Sequence, residues 1–290
     1  MISAAILRRL PVDITNKRKY PPKPLGFVRK RAMTIAVGIL AEGSIVLASD
    51  TKYYTGTVVN YGEKVFPLPA RASFRVVVAG AGVVETIRGA SEKIGAILPS
   101  KPTPLDNIQQ AIERANKDYY ERFIVPLRDP DAGYELLIAI QHESEGCRLL
   151  KCQQNSTRIV DDSAMLGTGG LTAQPYSDLW WPDISLLEAE IMACCLVRYA
   201  KDYDELCGGE TRVFTLTPDG LFRLDDAYIR QADDYFLNFH RFAVKMLLPF
   251  DSLKADSDFF EGQLSSLVKD LKRYRETLAR EHQRAHYKIP

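Results

Sequence analysis

Three side chains with complementary chemistry lie at the ends of consecutive predicted strands. Thr34 carries a hydroxyl at the start of the first strand, Asp50 a carboxylate at the end of the second, and Lys64 an amine at the start of the third. Because Asp50 and Lys64 begin and end a connection between adjacent strands, we expect them to pair. A hydroxyl is a poor nucleophile at neutral pH and needs a neighbouring group that activates it. The trio therefore predicts an activated Thr34, and the alternative is a purely structural ion pair.

The strands that would position these residues are marked by β-branched runs and tight turns. Segments 34–40 and 44–49, joined by a Glu-Gly turn, predict a hairpin, and 62–68 with 74–79 predict a second strand pair. Runs so rich in valine predict strands that are covered on both faces. These elements would bring the three residues to one end of the sheets.

The rest of the chain alternates between helical and strand patterns. The predicted helices are 83–98, 104–124 and 185–203, and the later predicted strands are 134–140, 147–152, 157–160, 211–217 and 221–224. This order fits two antiparallel sheets stacked between helical layers, an α+β four-layer αββα sandwich. After Asp225, two long helical patterns, 228–248 and 257–287, predict a helical C-terminal extension over 226–290 that serves as an interaction appendage.

Five segments in the same order resemble proteasome β-type subunits and their bacterial relatives, which are N-terminal-nucleophile hydrolases. They are a leading threonine strand with Asp50-Thr-Lys at the end of its hairpin, Gly62-Glu-Lys64-Val, Ala79-Gly-Ala-Gly82, Gly167-Thr-Gly-Gly170 and Asp204-Glu-Leu-Cys207-Gly-Gly. The resemblance covers residues 34–225 and implies the N-terminal-nucleophile hydrolase fold for that domain. It also implies a threonine peptidase.

The resemblance assigns the reacting groups. Thr34 would be the nucleophile, and its own α-amine, whose pKa is typically about 7.7–8.0, would accept the hydroxyl proton. Lys64, held by Asp50, would add positive charge beside that hydroxyl. The backbone N–H of Gly82 would stabilise the oxyanion of the tetrahedral intermediate.

Further positions follow from the same resemblance. Thr168, Asp204 and Cys207 would orient the terminal amine, although this chain has Thr and Cys where the family usually has Ser, and a thiol is a weak hydrogen-bond donor. A glycine at 80 would leave the substrate pocket deep, which favours apolar or large side chains. The residues implied to line that pocket are Tyr53, Gly80 and Val84.

The residues before Thr34 decide whether its amine is free. Residues 1–33 form a strongly basic, Pro-containing leader that we expect to be disordered, removed or never translated. Precursors that process themselves carry Gly before the threonine, whereas Met33 stands here and suggests a start codon. If nothing is removed, the alternative is a noncatalytic structural or assembly subunit. A third hypothesis is an amidase of the same fold that acts on a small molecule.

Composition limits the partners. The net charge of +1, from 38 basic and 37 acidic residues, gives no reason to expect nucleic acid or an anionic membrane. No apolar run reaches the roughly 20 residues of a membrane span, so a cytoplasmic protein is expected. The odd number of cysteines and the scattered histidines lead to no assigned disulfide, metal or cofactor. The resemblance implies peptide or unfolded-protein substrates, a homo-oligomeric ring and an ATP-dependent unfoldase.

Overall fold

A computed structural model describes most of the chain from Thr34 onwards. The described residues are 34–55, 58–129, 133–178, 184–237, 257–282 and 285–289. The predicted basic leader and the second half of the predicted helix over 228–248 lie outside them.

The described residues form thirteen strands and six helices. The strands are β1 Ala36–Ala41, β2 Ser44–Asp50, β3 Lys52–Thr55, β4 Val58–Tyr61, β5 Val65–Pro67, β6 Phe74–Gly82, β7 Tyr134–His142, β8 Gly146–Gln153, β9 Ser156–Val160, β10 Ser163–Leu166, β11 Thr211–Thr217, β12 Gly220–Leu224 and β13 His286–Ile289. The helices are α1 Val84–Ile97, α2 Leu105–Tyr119, α3 Gly167–Ser177, α4 Leu186–Tyr203, α5 at 226–237 and α6 Ser257–His282. A π-helical turn, Tyr120–Ile124, continues α2 and is followed by a 3₁₀ turn, Val125–Leu127.

Two antiparallel sheets form the centre of the fold. One contains six strands in the order β10-β1-β2-β11-β12-β13, the other five in the order β5-β6-β7-β8-β9, and β3 with β4 forms a separate hairpin. Seven of the nine residues of the valine-rich strand β6 are buried, as the prediction of strands covered on both faces requires.

Three apolar clusters fill the spaces between four layers. Between the sheets, residues such as Leu47 of β2 meet residues such as Leu137 of β7. Alternate residues of β1, including Val37, face the opposite way and pack against α3, α4, α5 and α6. The outer face of the second sheet packs against α1 and α2 through residues such as Ile87 and Ile112. The αββα sandwich is confirmed.

Helix α4 is the longest of the described helices that precede β12 in the chain. Ser185 and Glu188 form a capping box at its start, in which each side chain bonds the other residue's backbone N–H. Apart from Glu190, its buried residues are apolar and mostly small, and they include Cys194 and Cys195, which are core residues with free thiols. Such a helix can lie close against the sheet, with Asp204 as its C-terminal cap.

Three local predictions need correction. The Gly167–Gly170 turn is the first turn of α3, which sequence patterns missed because glycine is a weak helix former and Pro175 interrupts the segment. The connection between Asp50 and Lys64 contains the hairpin of β3 and β4. The helix predicted over 257–287 has the wrong end, because α6 ends at His282 and not at Tyr287.

The last strand changes the description of the C-terminal extension. His286–Ile289 pairs with β12 and forms one edge of the six-stranded sheet. The extension is therefore not entirely helical, since its end is part of the sandwich. A four-residue strand gives too short a pattern for recognition, and its conformation depends on the partner strand.

Candidate functional site

The predicted trio meets at the junction of the two sheets. The Thr34 hydroxyl contacts both the Lys64 amine and the Asp50 carboxylate, and Lys64 Nζ lies 2.7 Å from Asp50 Oδ1. Asp50 ends a strand of the six-stranded sheet, whereas Lys64 directly precedes a strand of the five-stranded sheet. At most 1% of each of the three residues is exposed. The ion pair expected from the sequence is present, and it joins the two sheets.

Backbone groups hold the Asp50 carboxylate in place. The N–H of Ile35 donates to Oδ1 at 3.2 Å, and the N–H of Gly208 donates to Oδ2 at 3.0 Å. With Lys64, the carboxylate therefore has partners on both oxygens. This fixes the position of the negative charge that holds the lysine.

Burial and pairing act on Lys64 in opposite directions. Burial lowers the pKa of the Lys64 amine, and the neighbouring Asp50 carboxylate opposes that shift by attraction and hydrogen bonding. The amine also donates to the carbonyl oxygen of Lys52. Lys64 is thus a buried amine held between the Asp50 carboxylate and the Thr34 hydroxyl, and in its charged form it favours the deprotonated oxygen.

Gly82 lies at the end of β6, where only glycine fits. Its φ is +131°, and a Cβ there would lie 2.7 Å from the carbonyl oxygen of Gly133. A residue without a side chain is therefore required by the backbone itself. This explains the glycine without reference to catalysis, and its role as an oxyanion donor stays a prediction.

The residues predicted to line a pocket are connected to Lys64 or Gly82, either by a hydrogen bond or through neighbouring residues in the chain. Tyr53 follows Lys52, the acceptor for the Lys64 amine, and Val84 begins α1 two residues after Gly82. Gly80 donates its N–H to the carbonyl oxygen of Lys64 at 3.0 Å.

The space that the missing side chain of Gly80 leaves is occupied by helix α1. A Cβ at this position would lie 2.4 Å from Ile87 Cγ2, so Ile87 of α1 fills the space that the missing side chain leaves. The roles of Tyr53, Gly80 and Val84 as pocket walls stay predictions.

The start of α3 and the turn after α4 meet at Thr34. Gly169 donates its N–H to the Thr34 carbonyl oxygen at 3.1 Å, and a Cβ at Gly169 would lie 2.4 Å from Cys207 Sγ. The Cys207 thiol lies 3.8 Å from Asp204 Oδ2. The fold therefore brings the Thr168 segment and the Asp204–Cys207 turn together around Thr34.

The polar atoms of this cluster differ in how they are satisfied. Burial raises the pKa of the Cys207 thiol, and the Asp50 carboxylate raises it further, so the thiol stays protonated. The Thr168 hydroxyl is buried and has no hydrogen-bond partner within the described part of the chain. A buried hydroxyl without a partner is costly and marks a place where a further polar group fits.

Sequence reasoning missed the backbone groups of the site. The amides of Gly169 and Gly208 and the carbonyl of Lys52 bind the trio, but a backbone group leaves no signature of its own. The only available signal was the position of both glycines inside the matched motifs. Lys52 itself donates to the Glu205 carbonyl oxygen at 2.6 Å and so covers the turn that carries Cys207.

Comparison with solved structures identifies the architecture. The Anbu (ancestral beta-subunit) protein of Yersinia bercovieri matches over 77% of this chain and 100% of its own, with a TM-score of 0.63 and 17% identity. Anbu from Hyphomicrobium sp. strain MC1 matches over 73% and 97%, with a TM-score of 0.61 and 14% identity. The chain has a proteasome-like fold.

A third neighbour is known as an assembly. The helical assembly of the Anbu complex from Pseudomonas aeruginosa matches over 78% of this chain and 100% of its own, at 16% identity and a TM-score of 0.63. At such identities the likeness concerns the fold. No protein-family model and no curated protein matches the sequence. Within the described residues, no helix is long and apolar enough to cross a bilayer.

Proposed function

We propose that this protein is a threonine-type endopeptidase that acts in a self-assembled complex, with Thr34 as the nucleophile. The observation that carries the proposal is the contact of the Thr34 hydroxyl with a buried Lys64–Asp50 ion pair. If the ion pair between the two sheets served only to stabilise the fold, it would need no hydroxyl beside it. The threonine at this position has a chemical use, because the ion pair activates its hydroxyl oxygen.

The proposed reaction needs a free amine on Thr34. Once the bond between Met33 and Thr34 is open, the α-amine takes the hydroxyl proton while the oxygen attacks the substrate carbonyl carbon. The resulting ammonium then gives its proton to the leaving amine, and an ester on Thr34 remains. Water, deprotonated by the same amine, hydrolyses that ester and restores the hydroxyl.

The surrounding groups have distinct parts in this reaction. Lys64 stays protonated against Asp50 and stabilises negative charge on the attacking oxygen, and the Gly82 N–H receives the carbonyl oxygen. Thr168 and the Asp204–Cys207 turn hold the amine. The buried Thr168 hydroxyl, which has no partner among the described residues, supports this assignment because an amine would satisfy it.

Burial of the nucleophile favours extended substrates. Because only 1% of Thr34 is exposed, a folded protein surface cannot place a peptide carbonyl against it. An extended peptide needs a narrower opening than a folded surface does, so peptides and unfolded chains are the substrates that we propose. We therefore propose assembly into a homo-oligomer that admits extended chains, served by an ATP-dependent unfoldase; the helical assembly of the Pseudomonas aeruginosa neighbour supports the first part.

The decisive experiment combines mass spectrometry of the mature N-terminus with peptide hydrolysis. We expect mature chains that begin at Thr34 to hydrolyse fluorogenic peptides, Thr34→Ala to lose activity, and Thr34→Ser to retain part of it. Thr103→Ala is a matched control, because among the residues that the structure describes this hydroxyl bonds only the nearby Lys101 carbonyl, at 2.9 Å. Full activity of Thr34→Ala would refute the proposal. Inactive chains that keep residues before Thr34 in the native host would support a noncatalytic subunit.

A further inference from the structure

A second polar cluster joins helix α4 to the end of the chain. Glu190, in the second turn of α4, is completely buried, and each of its carboxylate oxygens lies close to one histidine. His282 Nε2 lies 2.6 Å from Oε2, and His286 Nε2 lies 2.8 Å from Oε1. The Thr215 hydroxyl donates to Oε1 at 2.6 Å. One buried carboxylate is thus shared by two imidazoles and a hydroxyl.

The hydrogen bonds of His286 decide which of its two ring nitrogens carries the proton and which presents a lone pair to the carboxylate. Its Nδ1 lies 3.0 Å from the carbonyl oxygen of His282, and because a carbonyl can only accept, Nδ1 carries the proton. In a neutral ring, Nε2 then presents a lone pair to the Glu190 oxygen. Two electron-rich atoms at 2.8 Å need a cation between them, either a second proton or a metal ion.

The same arrangement is typical of histidines that bind metals. A metal-binding imidazole usually donates its other N–H to a backbone carbonyl or a carboxylate, which orients the ring. His286 does so through its bond to the His282 carbonyl. The ligand atoms of Glu190, His282 and His286 all lie within 4.8 Å of one another.

A buried phenol beside the cluster is a second, independent observation. Tyr228 is 2% exposed, and its hydroxyl has no hydrogen-bond partner among the described residues. Its ring centroid lies 5.8 Å from that of His282. Burial raises the pKa of the Tyr228 hydroxyl, and the Glu190 charge raises it further. An unsatisfied buried hydroxyl on a ring that packs against His282 indicates that a polar group is missing from this part of the structure.

We propose that Glu190, His282 and His286 form a binding site for a divalent transition metal ion, with zinc as the best match. Two imidazole nitrogens and a carboxylate oxygen are ligands that zinc accepts at about 2.0–2.2 Å. In a tetrahedral site such atoms lie about 3.3 Å apart, so the two histidine–carboxylate distances would widen by about 0.5–0.7 Å, and the remaining separations, which reach up to 4.8 Å, would shorten by up to about 1.5 Å. The two histidine side chains are 21% and 19% exposed, which allows entry from solvent and leaves a fourth position for water.

The proposed ion would tie three elements together. Glu190 belongs to α4, His282 is the last residue of α6, and His286 is the first residue of the edge strand β13. Sequence analysis assigned no metal because the histidines are scattered, although His282-Gln-Arg-Ala-His286 was an available signal. The site is structural and independent of the function proposed for Thr34.

The test uses the full chain without a histidine tag, freed of metal by a chelator and titrated with zinc chloride. We expect about one zinc ion per chain by calorimetry and elemental analysis, with a micromolar or tighter Kd. Zinc at about a hundred times Kd should raise the melting temperature by about 5–10 °C. Cobalt should give a visible absorption band without thiolate charge transfer, since no cysteine belongs to the site.

Two variants separate the metal from a charge pair. Glu190→Gln and His286→Lys should each weaken zinc binding by about 100-fold or more and remove the thermal shift. His286→Lys keeps a cation opposite Glu190, so it remains informative if Glu190→Gln fails to fold. Glu188→Gln on the same helix is the control and should bind zinc like the parent chain. The proposal would be overturned if zinc left the melting temperature of the parent chain unchanged, or if His286→Lys bound zinc as tightly as the parent chain. Thiolate bands with cobalt would also overturn it.

Discussion

Replacing Lys64 by methionine is the sharpest test of the buried ion pair. The change keeps an apolar side chain of similar length but removes the cation that lies 2.7 Å from the Asp50 carboxylate. At that distance the attraction is about 6 kcal/mol at an effective dielectric constant of about 20, and desolvation of both charges offsets much of it. The carboxylate would then be fully buried without a countercharge.

The expected loss follows from that uncompensated charge. Breaking a buried pair by removing one partner costs about 3–5 kcal/mol, so we expect the melting temperature of Lys64→Met to fall by about 6–15 °C. Adding Asp50→Asn removes the remaining charge and should bring the unfolding free energy back to within about 1–2 kcal/mol of the parent chain. Peptide hydrolysis should stay about 100–1000-fold reduced in both variants.

The assay is urea unfolding and thermal unfolding of the parent, the two single variants and the double variant, with peptide hydrolysis measured on the same samples. The control is Lys117→Met, because Lys117 and Glu121 form an exposed pair at 3.9 Å; that change should cost no more than about 0.5 kcal/mol. A loss below about 1 kcal/mol in Lys64→Met, or a double variant no more stable than either single variant, would refute the argument.

Three further predictions concern other parts of the chain. Gly82→Ala should lose about 1–3 kcal/mol in urea unfolding, because its positive φ and the Gly133 carbonyl leave no room for a Cβ; unchanged stability would contradict this. Cys207→Ser should raise kcat/KM about 2–10-fold and Cys207→Ala should lower it, because a hydroxyl donates a stronger hydrogen bond to the proposed amine site; the reverse order would exclude that role. Burial raises the pKa of Asp233 to about 6, so the folded state binds more protons than the unfolded state between about pH 4 and 6. The stability contributed by Asp233 should therefore be complete below that range and be lost as pH rises through it, and Asp233→Asn should remove this slope from urea midpoints measured across the range.

The sequence revealed those parts of the fold whose pattern is local. A β-branched run beside a Gly turn located β2, a Val-rich run located β6, and the ion pair of Asp50 and Lys64 was expected because both residues stand at strand ends. Helix α4 was found because it carries a long apolar pattern after a capping residue. Local chemistry was enough in these places.

The missed parts depend on contacts between distant segments. Helix α3 begins with four residues of which three are glycine, and packing against Cys207 rather than helix propensity holds it. Strand β13 needs the free edge of β12, and the meeting of two histidines with Glu190 needs both the strand and α6 in place. Tertiary pairing of this kind leaves little trace in the local sequence.

The position of the Lys64–Asp50 pair between the sheets has a consequence for the newly made chain. During folding, either sheet can form its own hydrogen bonds, but neither carries both members of the pair. A folding intermediate with unstacked sheets thus has a threonine hydroxyl without its neighbouring cation. Under the function proposed here, the Thr34 hydroxyl would become reactive only after the core has closed, which would protect immature molecules from cleaving themselves or one another.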